Sequence, residues 1–289
     1  MTSQVALEDM LASCTLRVDT SEGPQGTAFF VAPEYAITAA HVVNGAKGTR
    51  VQLHGRLGTW IGHVHDSRPE AEAFGNSVTA PGLSPPPDVA LIRLVGGAAH
   101  SCVLLGDQKM AAGMAVIARG HSRIFDGVKV MPESEYFTVS GELETSDPDY
   151  TLLKLGRGQA VKGMSGAPVL SLGTGEVIGM LRASRDLRTS LGAWVVPAAV
   201  ILGIWPQEVG GGHDQFHQAN GRWRWMSRAM AEHGAGSGGS PQQPAGVAIG
   251  PIYGNGPVTM FHGGHFGDVN IGGVKPTNGG GDEGEPGAS

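Results

Sequence analysis

Short apolar runs alternate with Gly, Pro, Asp and Asn punctuation through roughly the first two hundred residues of the chain. The runs fall at 15–18, 26–31, 35–38, 50–53, 60–64, 89–94, 115–118, 128–131, 137–144, 150–153, 167–170, 177–181 and 193–196, and are rich in Val, Ile, Leu, Phe and Thr. Runs of that length and composition between turn signals predict strands, and about a dozen of them predict an all-β barrel or sandwich. No amphipathic helical pattern alternates with the runs, which excludes a parallel α/β sheet. Two segments break the rhythm. Residues 67–87 are polar and Pro-rich and end in three prolines directly before Asp88, and residues 184–190 are charged and predict a hairpin tip. Past Pro197 the pattern changes. The apolar stretch 198–205 predicts a short closing helix, and 214–232 predicts a second, with Trp223, Trp225 and Met226 set among Arg222, Arg224 and Arg228. The tryptophan pair is expected to pack that helix onto the β-rich unit rather than to cage a ligand.

Composition separates the end of the chain from the rest. Hydrophobic residues make up 40% and charged residues 16% of the 289 residues, enough to bury a sizeable core. Of the 47 glycines, 14 lie in the last 44 positions, so that stretch is not expected to form a core of its own. Residues 234–246 read as a flexible Gly/Ser/Pro/Gln linker, and the acidic, Gly-rich end at 279–289 reads as disordered. The net charge is −6 without a basic block, which argues against nucleic-acid binding. The two cysteines, Cys14 and Cys102, make no disulfide framework and point to a reducing compartment. The first residues lack the basic start and apolar run of a secretory signal. No stretch reaches the ~18 apolar residues of a membrane span. The expected location is the cytoplasm.

Three segments carry candidate chemistry. In residues 26–41, two apolar strands joined by a turn lead through Thr38-Ala39-Ala40 to His41. In residues 87–94, Asp88 opens a strongly apolar strand, where a buried carboxylate needs a hydrogen-bonding or positive partner. An imidazole supplies one. In Lys162-Gly163-Met164-Ser165-Gly166-Ala167-Pro168, small residues flank a serine and a strand follows. A serine hydroxyl needs a base, a group to orient that base, and donors for a developing oxyanion. His41, Asp88 and Ser165 fill the first roles. Glycine at 163 lets the backbone turn so that its N–H and that of Ser165 converge on one oxygen. The order His, Asp, Ser differs from the Ser, Asp, His order of the α/β-hydrolases.

Taken together, the motifs in residues 26–43, 88–94 and 163–170 resemble the histidine, aspartate and serine motifs of the trypsin/chymotrypsin-like serine peptidases, and Val177-Ile-Gly-Met-Leu-Arg182 resembles that family's substrate-flanking strand. The resemblance spans about residues 12–205 and is nearest to the intracellular bacterial type. It implies two perpendicular six-stranded antiparallel β-barrels with the three residues in the cleft between them, an acyl-enzyme route and a protein or peptide substrate. It also implies that Met180, Leu181 and Arg182 flank the substrate and that Gln159 lies near the base of the primary specificity pocket. A neutral Gln there argues against selection of Arg or Lys, and Arg182 is expected to favour an acidic side chain. Ala167 replaces the usual glycine after the Ser-Gly pair.

The expected organisation is a peptidase domain at 1–205, a helical extension at 206–233, and a linker and tail at 234–289. No cofactor is expected. His63-Val-His65 and His262-Gly-Gly-His265 are the candidate zinc ligands, but neither pair has a third ligand at convincing spacing, so no metal is expected. Within the tail, residues 247–274 alternate short β-prone pieces with Gly and Asn. That pattern resembles the self-templating amyloid motifs attached to effectors of conflict systems, which implies recruitment by a sensor protein or self-assembly. The competing reading is a catalytically silent scaffold acting through the tail, against which the complete set of His41, Asp88 and Ser165 stands.

Overall fold

The computed structural model describes residues 3–70, 86–96, 100–122, 130–145, 150–184 and 191–234. Twelve strands form two closed six-stranded barrels, with neighbouring strands antiparallel throughout. The first barrel contains β1 (Thr15–Thr20), β2 (Gly23–Ala32), β3 (Tyr35–Thr38), β4 (Arg50–Gly55), β5 (Gly58–Arg68) and β6 (Val89–Leu94), in the order β1-β2-β3-β6-β5-β4. The second contains β7 (Ala115–Ser122), β8 (Met131–Glu144), β9 (Thr151–Gln159), β10 (Pro168–Ser171), β11 (Val177–Ser184) and β12 (Leu191–Pro197), in the order β10-β11-β12-β9-β8-β7. Closure removes every open sheet edge, the usual liability of an antiparallel sheet.

Side-chain alternation explains how the runs become barrel staves. In β5, Trp60, Gly62 and Val64 are buried while Thr59, Ile61, His63 and His65 face out. The two histidines therefore share an exposed face, and among the described residues no group of three or more His, Cys, Asp or Glu is gathered to hold a metal. Strand β6, paired on both sides by β3 and β5, is buried at every position but Arg93. The runs at 128–131 and 137–144 do not form two strands: the long strand β8 contains Met131 and all of the second run, while 128–129 lie outside the described residues.

The helices differ more from expectation. The closing helix α2 (Ala198–Ile204) follows β12 directly. The single helix expected at 214–232 is two, α3 (Gly212–Ala219) and α4 (Arg222–Gly234), because Asn220-Gly221 stops the first. A π-turn at Pro206–Gly211 precedes them. An N-terminal helix, α1 (Ser3–Cys14), was not expected at all, although Leu7, Met10, Leu11 and Cys14 fall at the spacing of one buried face. Helix α1 packs against α4. Helix α4 buries Trp223, whose Nε1–H donates to Gly175 O at 2.8 Å, but leaves Trp225 69% exposed, so only one of the tryptophans serves packing. Helix α3 is held to residues 103–105 by two buried imidazoles: His213 Nε2 accepts from Leu105 N at 3.0 Å and His217 Nε2 donates to Val103 O at 2.9 Å. These helices belong with the barrels to one compact unit. All but Ser184 of the hairpin tip expected at 184–190, together with His262, His265 and the motif at 247–274, lies outside the described residues. Cys14 and Cys102 are free and buried.

Candidate functional site

His41 sits on a single 3₁₀ turn, Ala40–Val43, that begins immediately after β3. Its imidazole Nδ1 lies 2.8 Å from Asp88 Oδ2, and its backbone N–H donates to Asp88 Oδ1 at 3.0 Å. One carboxylate thus grips both the ring and the backbone of the same residue and fixes the ring's orientation. That pairing directs Nδ1–H at the carboxylate and leaves Nε2 as the free base. Asp88 is 1% exposed, whereas His41's side chain is one-third exposed. Asp88 stands just ahead of β6 with φ +60°, in the left-handed region that Asp tolerates better than most residues. Its backbone carbonyl accepts from Ala40 N at 3.3 Å, so the two segments meet at main chain as well.

Ser165 comes from the other barrel, in the loop between β9 and β10. A turn closed by Met164 N–H to Val161 O, 3.1 Å, carries Gly163 at φ +101°, a conformation that only glycine adopts without strain. Among the described residues, neither the Gly163 nor the Ser165 backbone N–H has a protein acceptor. Gly166, φ +90°, allows the loop to press against barrel one: a Cβ there would lie 1.8 Å from Thr27 O. The space around Gly26 ties the pieces together. A Cβ on Gly26 would lie 2.6 Å from Val42 Cγ2, next to His41, and 2.9 Å from Ser165 O. The structure thus pairs His41 with Asp88 and sets the Ser165 main chain against Gly26 and Thr27, beside Val42, the residue after His41. Ser165 Oγ makes no hydrogen bond among the described residues, and such bonds in substrate-free sites often tighten only when substrate binds.

The joint between the barrels is Thr27, a residue the sequence reading did not single out. Its backbone N–H donates to Ser165 O at 2.8 Å. Its hydroxyl donates to Gly163 O at 2.8 Å and accepts from His121 N at 3.0 Å. Its carbonyl accepts from Thr38 Oγ1 at 2.6 Å, which links the whole assembly to the strand that delivers His41. The available signal was a hydroxyl at the head of the apolar run Ala28–Ala32: Thr27 is fully buried, and a buried polar group must find partners. Beside it, burial pushes the His121 imidazole down to about 4, so that ring is neutral near pH 7.

The four residues expected to meet substrate fall in different settings. Gln159 is exposed at the end of β9, and its backbone N–H donates to the half-buried Glu135 carboxylate at 3.0 Å. Met180 and Leu181 are buried in the cores, so their side chains do not line an open groove. The backbone of Leu181 instead braces the serine loop, with Gly166 N–H donating to Leu181 O at 2.8 Å and Leu181 N–H to Ala167 O at 2.7 Å. Arg182 departs furthest from expectation. Its side chain is 7% exposed, and Nε lies 3.3 Å from Asp88 Oδ2, so its charge faces the carboxylate beneath His41 and not an incoming acidic side chain.

Residues 26–180 match the family described as the trypsin-like peptidase domain. Solved structures of similar fold include the active form of the Rv3671c protease from M. tuberculosis, with TM-score 0.50 at 16% identity over 71% of this chain and 84% of that one. The HtrA-type protease AlgW with a decapeptide aligns with TM-score 0.53 at 14% identity, over 73% and 69% of the two chains. The serine endoprotease from Yersinia pestis aligns with TM-score 0.53 at 14% identity, over 73% and 68%. A search of the curated proteins finds no match.

Proposed function

Because the chain belongs to the trypsin-like peptidase domain family, we propose that it is a serine endopeptidase that cleaves peptide bonds through an acyl-enzyme. The observation that carries this reading is the buried Asp88 carboxylate holding His41 by ring and backbone at 2.8 and 3.0 Å, beside a serine loop whose Gly163 and Ser165 N–H groups lack protein acceptors among the described residues. In the proposed reaction His41 Nε2 takes the Ser165 proton as Oγ attacks the scissile carbonyl. The N–H groups of Gly163 and Ser165 receive the oxyanion, and each such donor contributes about 10²–10³ in turnover. His41 then delivers the proton to the leaving amine. Water, activated by the same imidazole, releases the acyl group from Ser165. Asp88 holds the ring and stabilises the imidazolium that forms in both halves.

The two free, buried cysteines support a reducing, cytoplasmic setting. Among the described residues no helix is long and apolar enough to cross a membrane. On sequence pattern alone, residues 247–274 are proposed as the segment through which a sensor protein or a second copy recruits the peptidase. The test of the catalytic reading is labelling by a fluorophosphonate, followed by mapping of cleavage sites in a proteome digest. Wild type should label and cut, and Ser165→Ala should do neither while keeping its fold. A folded wild type that neither labels nor cuts overturns the reading.

A further inference from the structure

Among the described residues, Asp88 has three close polar neighbours, and only one carries a fixed charge. The His41 N–H and the His41 ring occupy Oδ1 and Oδ2, and while the imidazole is neutral neither compensates the carboxylate. An ionised carboxylate that is 1% exposed is costly to keep without a counter-charge. Arg182 Nε lies 3.3 Å from Oδ2, an ion pair between two buried side chains. Among the described residues, no charged side chain other than His41 and Arg182 comes within ion-pair distance of Asp88.

The backbone explains how an arginine reaches this position. In the pairing of β11 with β12, Leu181 faces Val195 and Ala183 faces Trp194, so Arg182 is the extra residue of a β-bulge. Bulges re-aim one side chain and recur beside functional sites. The residue before it, Leu181, is the one that braces the serine loop by main-chain hydrogen bonds. One strand therefore supports the Ser165 loop with its backbone and turns a buried cation toward Asp88.

We propose that Arg182 is a positioning residue of the His41–Asp88 pair: a fixed buried counter-charge that keeps Asp88 ionised while His41 is neutral and limits how tightly Asp88 holds the protonated ring. The proposal rests on the peptidase reading given above. With Arg182 present, the His41 ring faces an Asp88–Arg182 pair of no net charge rather than a lone anion. Removing the cation should move the acid limb of kcat/KM upward by about one pH unit or more, the scale of a charge at this range. Below the limb that is about a tenfold loss per unit.

The experiment compares Arg182→Met, Arg182→Lys and the double variant Asp88→Asn/Arg182→Met in the full chain. Arg182→Met should raise the acid limb and lower kcat, with KM unchanged for peptides carrying either neutral or acidic side chains at the cleaved bond. Arg182→Lys should restore most of the wild-type profile. In guanidinium denaturation, Arg182→Met should lower the midpoint and the double variant should recover it, because the orphaned carboxylate is gone. An acid limb unmoved in Arg182→Met overturns the proposal, as does a KM increase confined to acidic peptides, which would make Arg182 a substrate reader. If Arg182→Met does not fold, folding of the double variant supports the pairing, and its failure to fold overturns it. The denaturation cycle needs no activity, so it decides the Asp88–Arg182 pairing even if wild type proves unreactive toward the fluorophosphonate and the peptidase reading falls.

Discussion

Replacing Thr27 by Val removes one oxygen from the joint between the barrels and leaves the volume nearly unchanged. Two backbone groups lose a partner: Gly163 C=O, which accepts from the hydroxyl at 2.8 Å, and His121 N–H, which donates to it at 3.0 Å. A buried backbone group left unsatisfied costs about 1–3 kcal/mol. The extra methyl of Val returns about 1 kcal/mol of apolar burial. The expected net loss is therefore about 1–5 kcal/mol, read as a lower guanidinium midpoint at unchanged slope. Function should fall as well, because Gly163 loses the bond that fixes its peptide and one proposed oxyanion donor moves with it. A displacement near 1 Å costs about 10² in rate, which the second-order rate of fluorophosphonate labelling measures. Thr27→Ser is the control, since it keeps the hydroxyl and gives up only a methyl. A Thr27→Val protein within about 0.5 kcal/mol of wild type that labels at the wild-type rate would refute the reasoning. So would a Thr27→Ser protein that falls as far as Thr27→Val, because packing and not the hydroxyl would then make the joint.

Gly166→Ala should abolish folding or cost more than about 4 kcal/mol, since its Cβ would lie 1.8 Å from a backbone oxygen at φ +90°; soluble expression and thermal melting check this. Stability should drop on acidification, and the sign follows from His121 and His217, both pushed down to about 4 chiefly by burial. Their unfolded forms bind protons first, so stability is complete above about pH 6.5 and is lost as pH falls toward 4. His217→Gln should flatten that slope in guanidinium midpoints taken between pH 7 and 5, at some cost near neutrality because Val103 O loses its short imidazole partner. A slope unchanged by the substitution would mean that His217 does not titrate with unfolding.

The strands and the three site motifs could be read in the chain because each depends on local physics. Alternation in β5 and the turn residues between runs report a barrel stave without reference to its neighbours. Asp88 before an apolar strand and Ser165 among small residues are local patterns too, and the order of the motifs tied them to one family. Helix α1 is equally legible from Leu7, Met10, Leu11 and Cys14, although its apolar face is short and precedes a long run of strands. The break at Asn220-Gly221 was also written in the residues, inside a stretch whose tryptophans and arginines suggested continuity.

Arg182 and Thr27 belong to the other class. An arginine in a strand beside a cleft reads as a surface charge, since burying it unpaired would be prohibitive, and only the bulge in β11 and the arrival of Asp88 from the opposite barrel supply the pairing. A threonine in an apolar strand announces a buried hydroxyl but cannot name its partners. Those partners, Gly163 O and His121 N, lie 136 and 94 residues away, and they become neighbours only when two separately closed barrels meet. The His41, Asp88 and Ser165 motifs were thus legible one by one, whereas the contacts that hold them in register and charge-balance their buried member arise from the packing of one barrel on the other.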